Sequence, residues 1–271
     1  MPEQDRYDYG FGTVWDTVYV NRREGYSTSV TGYHRHEFYE LNLILSGNVN
    51  ILLRGRSEQG TQNRMVLTRP GTPHYISCKP DTLYRRIYLV FTEAWINRIP
   101  EWISLEEIFG REGEILTLTP EQTLFFRKLI EQIDVEQSPF SKRMLTYYLL
   151  SRAAEAMGSN RQILKRTPSC VLDAIAYIEE HFADKIIAST LAKRLNVSRT
   201  TLMTAFKSHT DRTIGEYLTQ CRVKNAVLLL KDGKTLEDVA DQCGFADSSG
   251  LIRGFRRCFG VTPRQYLKQL P

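Results

Sequence analysis

Two sets of side chains in this 271-residue chain have types and spacing suited to chemistry. The first is His34-x-His36-x-x-x-Glu40, followed by Gly47 and later by Gly71-x-x-His74. Imidazole and carboxylate suit divalent Fe, Mn, Ni or Zn. Convergent polar groups of this kind also orient small molecules in the mouths of β-barrels. On an extended strand His34, His36, Phe38 and Glu40 fall on one face. The second set lies near the C-terminus: Arg199, Thr200, Thr204 and Lys207, then Ser248, Ser249, Arg253, Arg256 and Arg257. Guanidinium, ammonium and hydroxyl groups grip phosphates and read base edges.

The second set is carried by an internal repeat. One copy runs Leu191-Ala192-Lys193-Arg194-Leu195-Asn196-Val197-Ser198, then Leu202, Phe206 and Tyr217. The other runs Val239-Ala240-Asp241-Gln242-Cys243-Gly244-Phe245, then Leu251, Phe255 and Tyr266. Apolar residues at helical spacing predict a helix, a tight turn and a second helix in each. Asn196 and Gly244 tolerate the left-handed backbone that ends a helix. Ser198 and Asp247 can accept the free amide hydrogens that start the next. Thr235-x-x-Asp238 resembles a capping box for the second copy, whereas the first copy has Ile187 there. Leu202/Phe206 and Leu251/Phe255 turn one face of each second helix inward. The polar face opposite is what a helix-turn-helix lays into the DNA major groove.

Gly244-Phe245, Phe255, Phe259-Gly260, Thr262-Pro263 and Tyr266 together resemble the signature of the AraC/XylS transcription regulators, over roughly Ser169 to Leu270. The resemblance implies two helix-turn-helix units joined by a long helix, here Thr213 to Leu230, with both recognition helices entering successive major grooves. Carried over residue by residue, it implies base reading by Thr200, Met203 and Thr204, and by Ser248, Ser249, Ile252 and Arg253. Arg253 is the candidate for a bidentate guanine contact. Arg199, Lys207, Arg256 and Arg257 are expected on phosphates. Gly250 and Gly254 depart from the pattern, and each weakens a helix by about 1 kcal/mol relative to Ala. The second unit is therefore expected to be more mobile and less selective.

Charge agrees with this placement. The chain carries net +5, with 15 Lys/Arg against 11 Asp/Glu from Pro168 onward and near balance before it. A basic excess on the repeat is what phosphate binding requires. No apolar run approaches membrane-spanning length, and MPEQDRYDYG lacks a signal-peptide core. Five cysteines form no paired motif, and Cys243 and Cys258 are expected to pack as small apolar residues. No membrane role and a cytoplasmic setting are expected.

Before residue 95 the texture changes to short β-rich runs: residues 40–45, 49–53, 65–68 and 84–91, separated by turns at Ser46-Gly47-Asn48, at Ser57–Asn63 and at Pro70–Pro73. Regular short strands predict a barrel or sandwich. The histidine and glutamate series resembles the cupin pattern, in which two His, a Glu and a third His coordinate one divalent ion. Cys78 stands where that pattern usually ends in Asn, so no resident metal is expected. His34, His36, Glu40 and His74 are instead expected to line an effector pocket, and they are the ligands if a metal is present. Tyr33, Tyr39, Tyr75 and Trp15 are aromatics able to stack on a sugar. From Pro120 to Met157 two amphipathic helices, broken near Ser138-Pro139, either cover the barrel or form the dimer surface usual in the resembled family.

The expected fold is α+β: a cupin-like sensing domain at residues 1–118, a helical dimerisation or cover segment at 119–158, a linker at 159–168 and an all-α double helix-turn-helix domain at 169–271. The expected function is sequence-specific binding of double-stranded DNA by a homodimer. A small-molecule effector, with sugars as one class, controls it, and it regulates RNA polymerase as an activator rather than acting as an enzyme. The alternative is a metal-dependent cupin enzyme fused to a DNA-binding tail.

Overall fold

The structure, a computed structural model, describes residues 17–25, 32–79, 82–96, 104–111, 113–160 and 165–268. Its N-terminal half consists of β1 (Tyr19–Gly25), β2 (Tyr39–Ser46), β3 (Val49–Leu53), β4 (Arg56–Gly60), β5 (Arg64–Thr68), β6 (His74–Cys78), β7 (Tyr84–Phe91), α1 (Glu93–Ile96), α2 (Leu105–Phe109), β8 (Glu114–Thr117), α3 (Pro120–Val135), α4 (Pro139–Asn160) and β9 (Lys165–Arg166). Two antiparallel sheets result, ordered β1-β7-β2-β5-β8 and β6-β3-β4-β9.

The period of two along each strand sorts the side chains. Leu41, Leu43, Met65, Leu67, Ile87, Leu89 and Phe91 face outward into a core closed by Phe126, Ile130 and Ile133 of α3 and Leu149, Leu150 and Ala153 of α4. The opposite face of the same sheet brings Ile44, Val66 and Ile115 against Val49, Ile51, Leu53, Ile76 and Cys78 of the other. Glu40, Asn42 and Arg86 share that inner face and are buried. Polar groups thus fill one end of the inter-sheet space and apolar groups the other. The break between α3 and α4 falls at Ser138-Pro139, as expected, and Thr119 caps α3 with a full capping box.

Two expectations need correction. Ser57–Asn63 is not one polar turn, since Arg56–Gly60 pairs along β3 as a strand with Ser57 and Gly60 buried. Cross-strand pairing overrides its polar composition. The strand carrying Glu40 begins only at Tyr39, so His34 and His36 precede it, and His34 instead forms an isolated bridge with His74. Within the span read as a linker, Lys165 and Arg166 add an edge strand to β4.

The C-terminal half is α5 (Ser169–Glu180), α6 (Ala188–Arg194), α7 (Arg199–Thr210), α8 (Ile214–Lys231), α9 (Leu236–Gln242), α10 (Ser248–Phe259) and α11 (Pro263–Lys268). The predicted turn chemistry is present. Asn196 and Gly244 have φ of 54° and 72°. Ser198 accepts Thr201 N–H, Asp247 accepts Gly250 N–H, and Thr235 accepts Asp238 N–H. Thr213 caps the long helix α8 with a full capping box, and Ile187 offers α6 no side-chain cap. Helix α8 divides between two cores. Tyr217 and Cys221 join Leu191, Leu202 and Phe206, while Val223, Val227 and Leu230 join Val239, Leu251 and Phe255. Cys243 and Cys258 are buried in the second core as expected.

Candidate functional site

The polar end of the barrel is a cluster of three imidazoles and one carboxylate. Glu40, on β2, and His74, at the start of β6, come from opposite sheets. His36 reaches the same point from the segment before β2, stacked on Phe38 with ring centroids 3.9 Å apart. His36 Nε2 lies 2.8 Å and His74 Nε2 3.2 Å from Glu40 Oε2. The His34 ring is 4.4 Å from that of His74. Burial opposes ionisation of Glu40, but the hydrogen bonds and charge of His36 and His74 outweigh it and hold the carboxyl well below its ordinary 4.5.

All four sequence-predicted residues are therefore brought together, although not on one strand. Two further members were missed. Asn42 Nδ2 donates to Glu40 Oε1 at 2.5 Å, and Arg86 Nη1 donates to Asn42 Oδ1 at 3.0 Å. Arg86 also lies 4.6 Å over the ring of Tyr88. The signal for Asn42 was present, because it stands two residues beyond Glu40 in an otherwise apolar strand. The aromatics lie elsewhere. Tyr39 stacks on Phe91 in the outer core. Tyr33 and Tyr75 face the C-terminal half, and Trp15 lies outside the described residues.

The DNA-reading candidates form exposed faces on α7 and α10. Arg199, Thr200, Met203, Thr204 and Lys207 are exposed along α7. On α10, Ser249, Arg253, Arg256 and Arg257 are exposed and Ile252 is half-buried. Ser248 is half-buried and donates to Glu237 at 3.1 Å, which draws its hydroxyl toward α9. Gly254 is buried, and a Cβ there would lie 3.1 Å from both Phe245 and Val223. The glycine lets α10 approach α8 closely, so packing at this position works against the mobility expected from helix propensity alone. Gly244 is tighter still, since a Cβ would meet Ala183 O at 2.1 Å.

The two halves touch at several points. Asn50 Nδ2 donates to Ser208 O at 2.8 Å, Ser57 Oγ pairs with His209 Nδ1 at 2.8 Å, and Ser77 Oγ donates to Asp211 Oδ2 at 3.1 Å. Tyr33 N–H donates to the Tyr217 hydroxyl, which donates to Glu179 Oε1, each at 2.7 Å. Gly32 leaves room for this, because a Cβ there would lie 2.9 Å from both Glu179 Oε1 and the Tyr217 oxygen. Met203, Thr204 and Lys207 of α7 share a cleft with Gln59 and Lys79 of the sheet.

A polar-ended barrel in contact with a two-unit DNA-reading domain defines a ligand-responsive transcription regulator. Residues 20–151 match the AraC-like ligand binding domain, and residues 191–269 match a helix-turn-helix domain. The chain belongs to the AraC family of transcriptional regulators. It is 25% identical over 243 residues to the HTH-type transcriptional activator RhaS of Escherichia coli strain SE11, covering 85% of each chain. Among solved structures it resembles ToxT of Vibrio cholerae strain SCE256 with an unsaturated fatty acid bound (TM-score 0.42, 15% identity, 94% of this chain and 96% of that one). It also resembles the C-terminal domain of AraT from Geobacillus stearothermophilus (TM-score 0.36, 26% identity, 38% of this chain and 88% of that one).

Proposed function

We propose that this regulator is a homodimeric activator that couples a small polar effector in the barrel to the placement of α7 on DNA. The observation that carries the reading is the alternation of β6. His74 points into the polar cluster, while Tyr75 packs on Tyr217 and Ser77 bonds Asp211 at the end of α7. A ligand that contacts His36, Glu40 or His74 differently in two arrangements shifts the balance between them. Of the two helices that follow the barrel, α3 exposes Leu124 and Val135 and α4 exposes Phe140, Met144 and Tyr148. Large apolar side chains left exposed on two successive helices suit an association surface, which supports α3 and α4 as the dimer contact.

DNA is read by the α7 and α10 faces in the roles given above, with Arg253 as the main base-specific donor. Bound DNA presents the dimer to RNA polymerase. No described helix is long and apolar enough to cross a membrane, which accords with work on DNA in the cytoplasm. Hydrogen-bonding Glu40, Asn42 and Arg86 at the polar end suit a hydroxylated effector such as a sugar, held by polar contacts rather than by the tyrosines. A thermal-shift screen of sugars and organic acids tests the sensing claim. A true effector raises the midpoint of the parent protein and fails to raise that of Asn42→Ala.

A further inference from the structure

We propose that the sensing half itself grips DNA: with the barrel docked on α7, Lys79 holds a backbone phosphate beside the bases that α7 reads. The proposal rests on the reading of α7 as a recognition helix. It starts from the alternation of β6. Tyr75 and Ser77 project from the outer face of this sheet, where Tyr75 packs on Tyr217 and Ser77 bonds Asp211. Lys79 is the next residue of that row. The ladder with β3 extends far enough to hold its main chain, because Lys79 N–H donates to Asn48 O at 2.8 Å. The root of the side chain is therefore fixed, and only its flexible stem must be ordered by a ligand.

Strand register sets where that row meets α7. Asn50 stands opposite Ser77 on one side and opposite Gln59 on the other. Asn50 Nδ2 and Gln59 Nε2 both donate to Ser208 O, at 2.8 and 3.3 Å. The sheet thus takes the C-terminal end of α7 from its flank and leaves the reading face clear. Thr200, Met203, Thr204 and Lys207 stay exposed with the barrel in place. Met203, Thr204 and Lys207 line a cleft of about 840 Å³ to which the sheet contributes Gln59 and Lys79, both exposed as well. A barrel that blocked DNA would cover these side chains. This one sets a second lysine at their edge.

Charge in the cleft favours an anion. Among the described residues neither Lys79 nor Lys207 has an ion-pair partner. The carboxylates of the cleft are already engaged. Asp211 accepts from Ser77, and Glu216 accepts from the main-chain N–H and the hydroxyl of Thr213 in the capping box of α8. A helix lying in the major groove is flanked by the phosphate backbones on either side. A lysine at that edge releases counterions and adds affinity without reading sequence.

The test uses the full chain and a labelled duplex that the parent protein has selected from random DNA. Affinity is read by fluorescence anisotropy over a series of KCl concentrations. Lys79→Ala should reduce the steepness of log affinity against log salt by about 0.9 for each protomer bound, as Lys207→Ala does. It should weaken all sequences alike and keep the parent's base preferences. Lys79→Arg keeps the charge and should keep the parent slope. A parent slope in Lys79→Ala overturns the proposal, and a reduced slope in Lys207→Ala then leaves α7 standing as the reader. Tighter binding by Lys79→Ala also overturns it, since the barrel would then hinder DNA. So does a reduced slope in Lys79→Arg, which would mark a packing role for the lysine. If the parent selects no duplex at all, the assignment of α7 as a reader falls together with the proposal.

Discussion

His74 and Ser77 lie three residues apart on one short strand yet serve opposite sides of the sheet. His74 Nε2 is 3.2 Å from Glu40 inside the barrel, and Ser77 Oγ donates to Asp211, which caps α7, at 3.1 Å. No other chain segment is needed to connect the polar cluster with the end of a recognition helix. Ser77→Ala removes that link while leaving the barrel side intact. It should lower unfolding free energy by about 1 kcal/mol. It should also shrink the change in operator affinity that effector produces, as measured by fluorescence anisotropy. A full effector response in a variant of normal stability would place the coupling elsewhere.

The Glu179 carboxyl, enclosed with Tyr217, Tyr33 and Gly32, makes a second contact between the halves sensitive to pH. Burial pushes its pKa from 4.5 up to about 7, against the lowering effect of the Tyr217 hydroxyl, Lys224 and the Tyr33 amide. The folded protein therefore keeps a proton that the unfolded chain releases. The stabilisation is complete below about pH 4.5 and is lost as pH rises through about 7. At about 1.4 kcal/mol per unit the total is roughly 3 kcal/mol. Urea unfolding between pH 5 and 8 should show this decline in the parent and a flatter profile in Glu179→Gln.

The two unusual glycines of α10 should respond in opposite ways. At Gly250 an added Cβ meets nothing closer than 3.4 Å, so Gly250→Ala should stabilise by up to about 1 kcal/mol. At Gly254 the Cβ would press on Phe245 and Val223 at 3.1 Å, so Gly254→Ala should gain nothing or lose about 1 kcal/mol. Equal stabilisation by both substitutions, in chemical denaturation, would show that Gly254 is a weak helix position and not a packing one.

Helix α4 exposes Met144 at 41% and Tyr148 at 50%, far more than an apolar core face would. If this face is the dimer contact, Met144→Glu with Tyr148→Glu should give monomers in sedimentation velocity without changing the circular dichroism spectrum. A persisting dimer would exclude the face.

Much of this was legible in residue spacing. The turns at Asn196 and Gly244, the caps at Ser198, Thr235 and Asp247 and the core pairs of each unit are local features, set by chemistry within a few residues. The cluster was legible as a set of residues but not as a geometry, because His34 reaches it through a bridge to His74 and not along a shared strand. The strand at Arg56–Gly60 was hidden because its polar composition is outweighed by pairing with β3. The contact between Ser77 and Asp211 spans 134 positions, and no periodicity in a single chain reports such a pair. Gly254 was misread for a related reason, since its value depends on Phe245 and Val223 and not on its own helix.

The central claim, that α7 and α10 read adjacent grooves with unequal selectivity, is tested most directly by selecting binding sites from random DNA with the full-length protein and with Arg253→Ala. The predicted result is two preferred blocks about 10 base pairs apart, centre to centre. In Arg253→Ala, guanine preference should be lost in one block only, at a cost of about 1–3 kcal/mol. A single block, or parent-like preference in Arg253→Ala, would contradict the account.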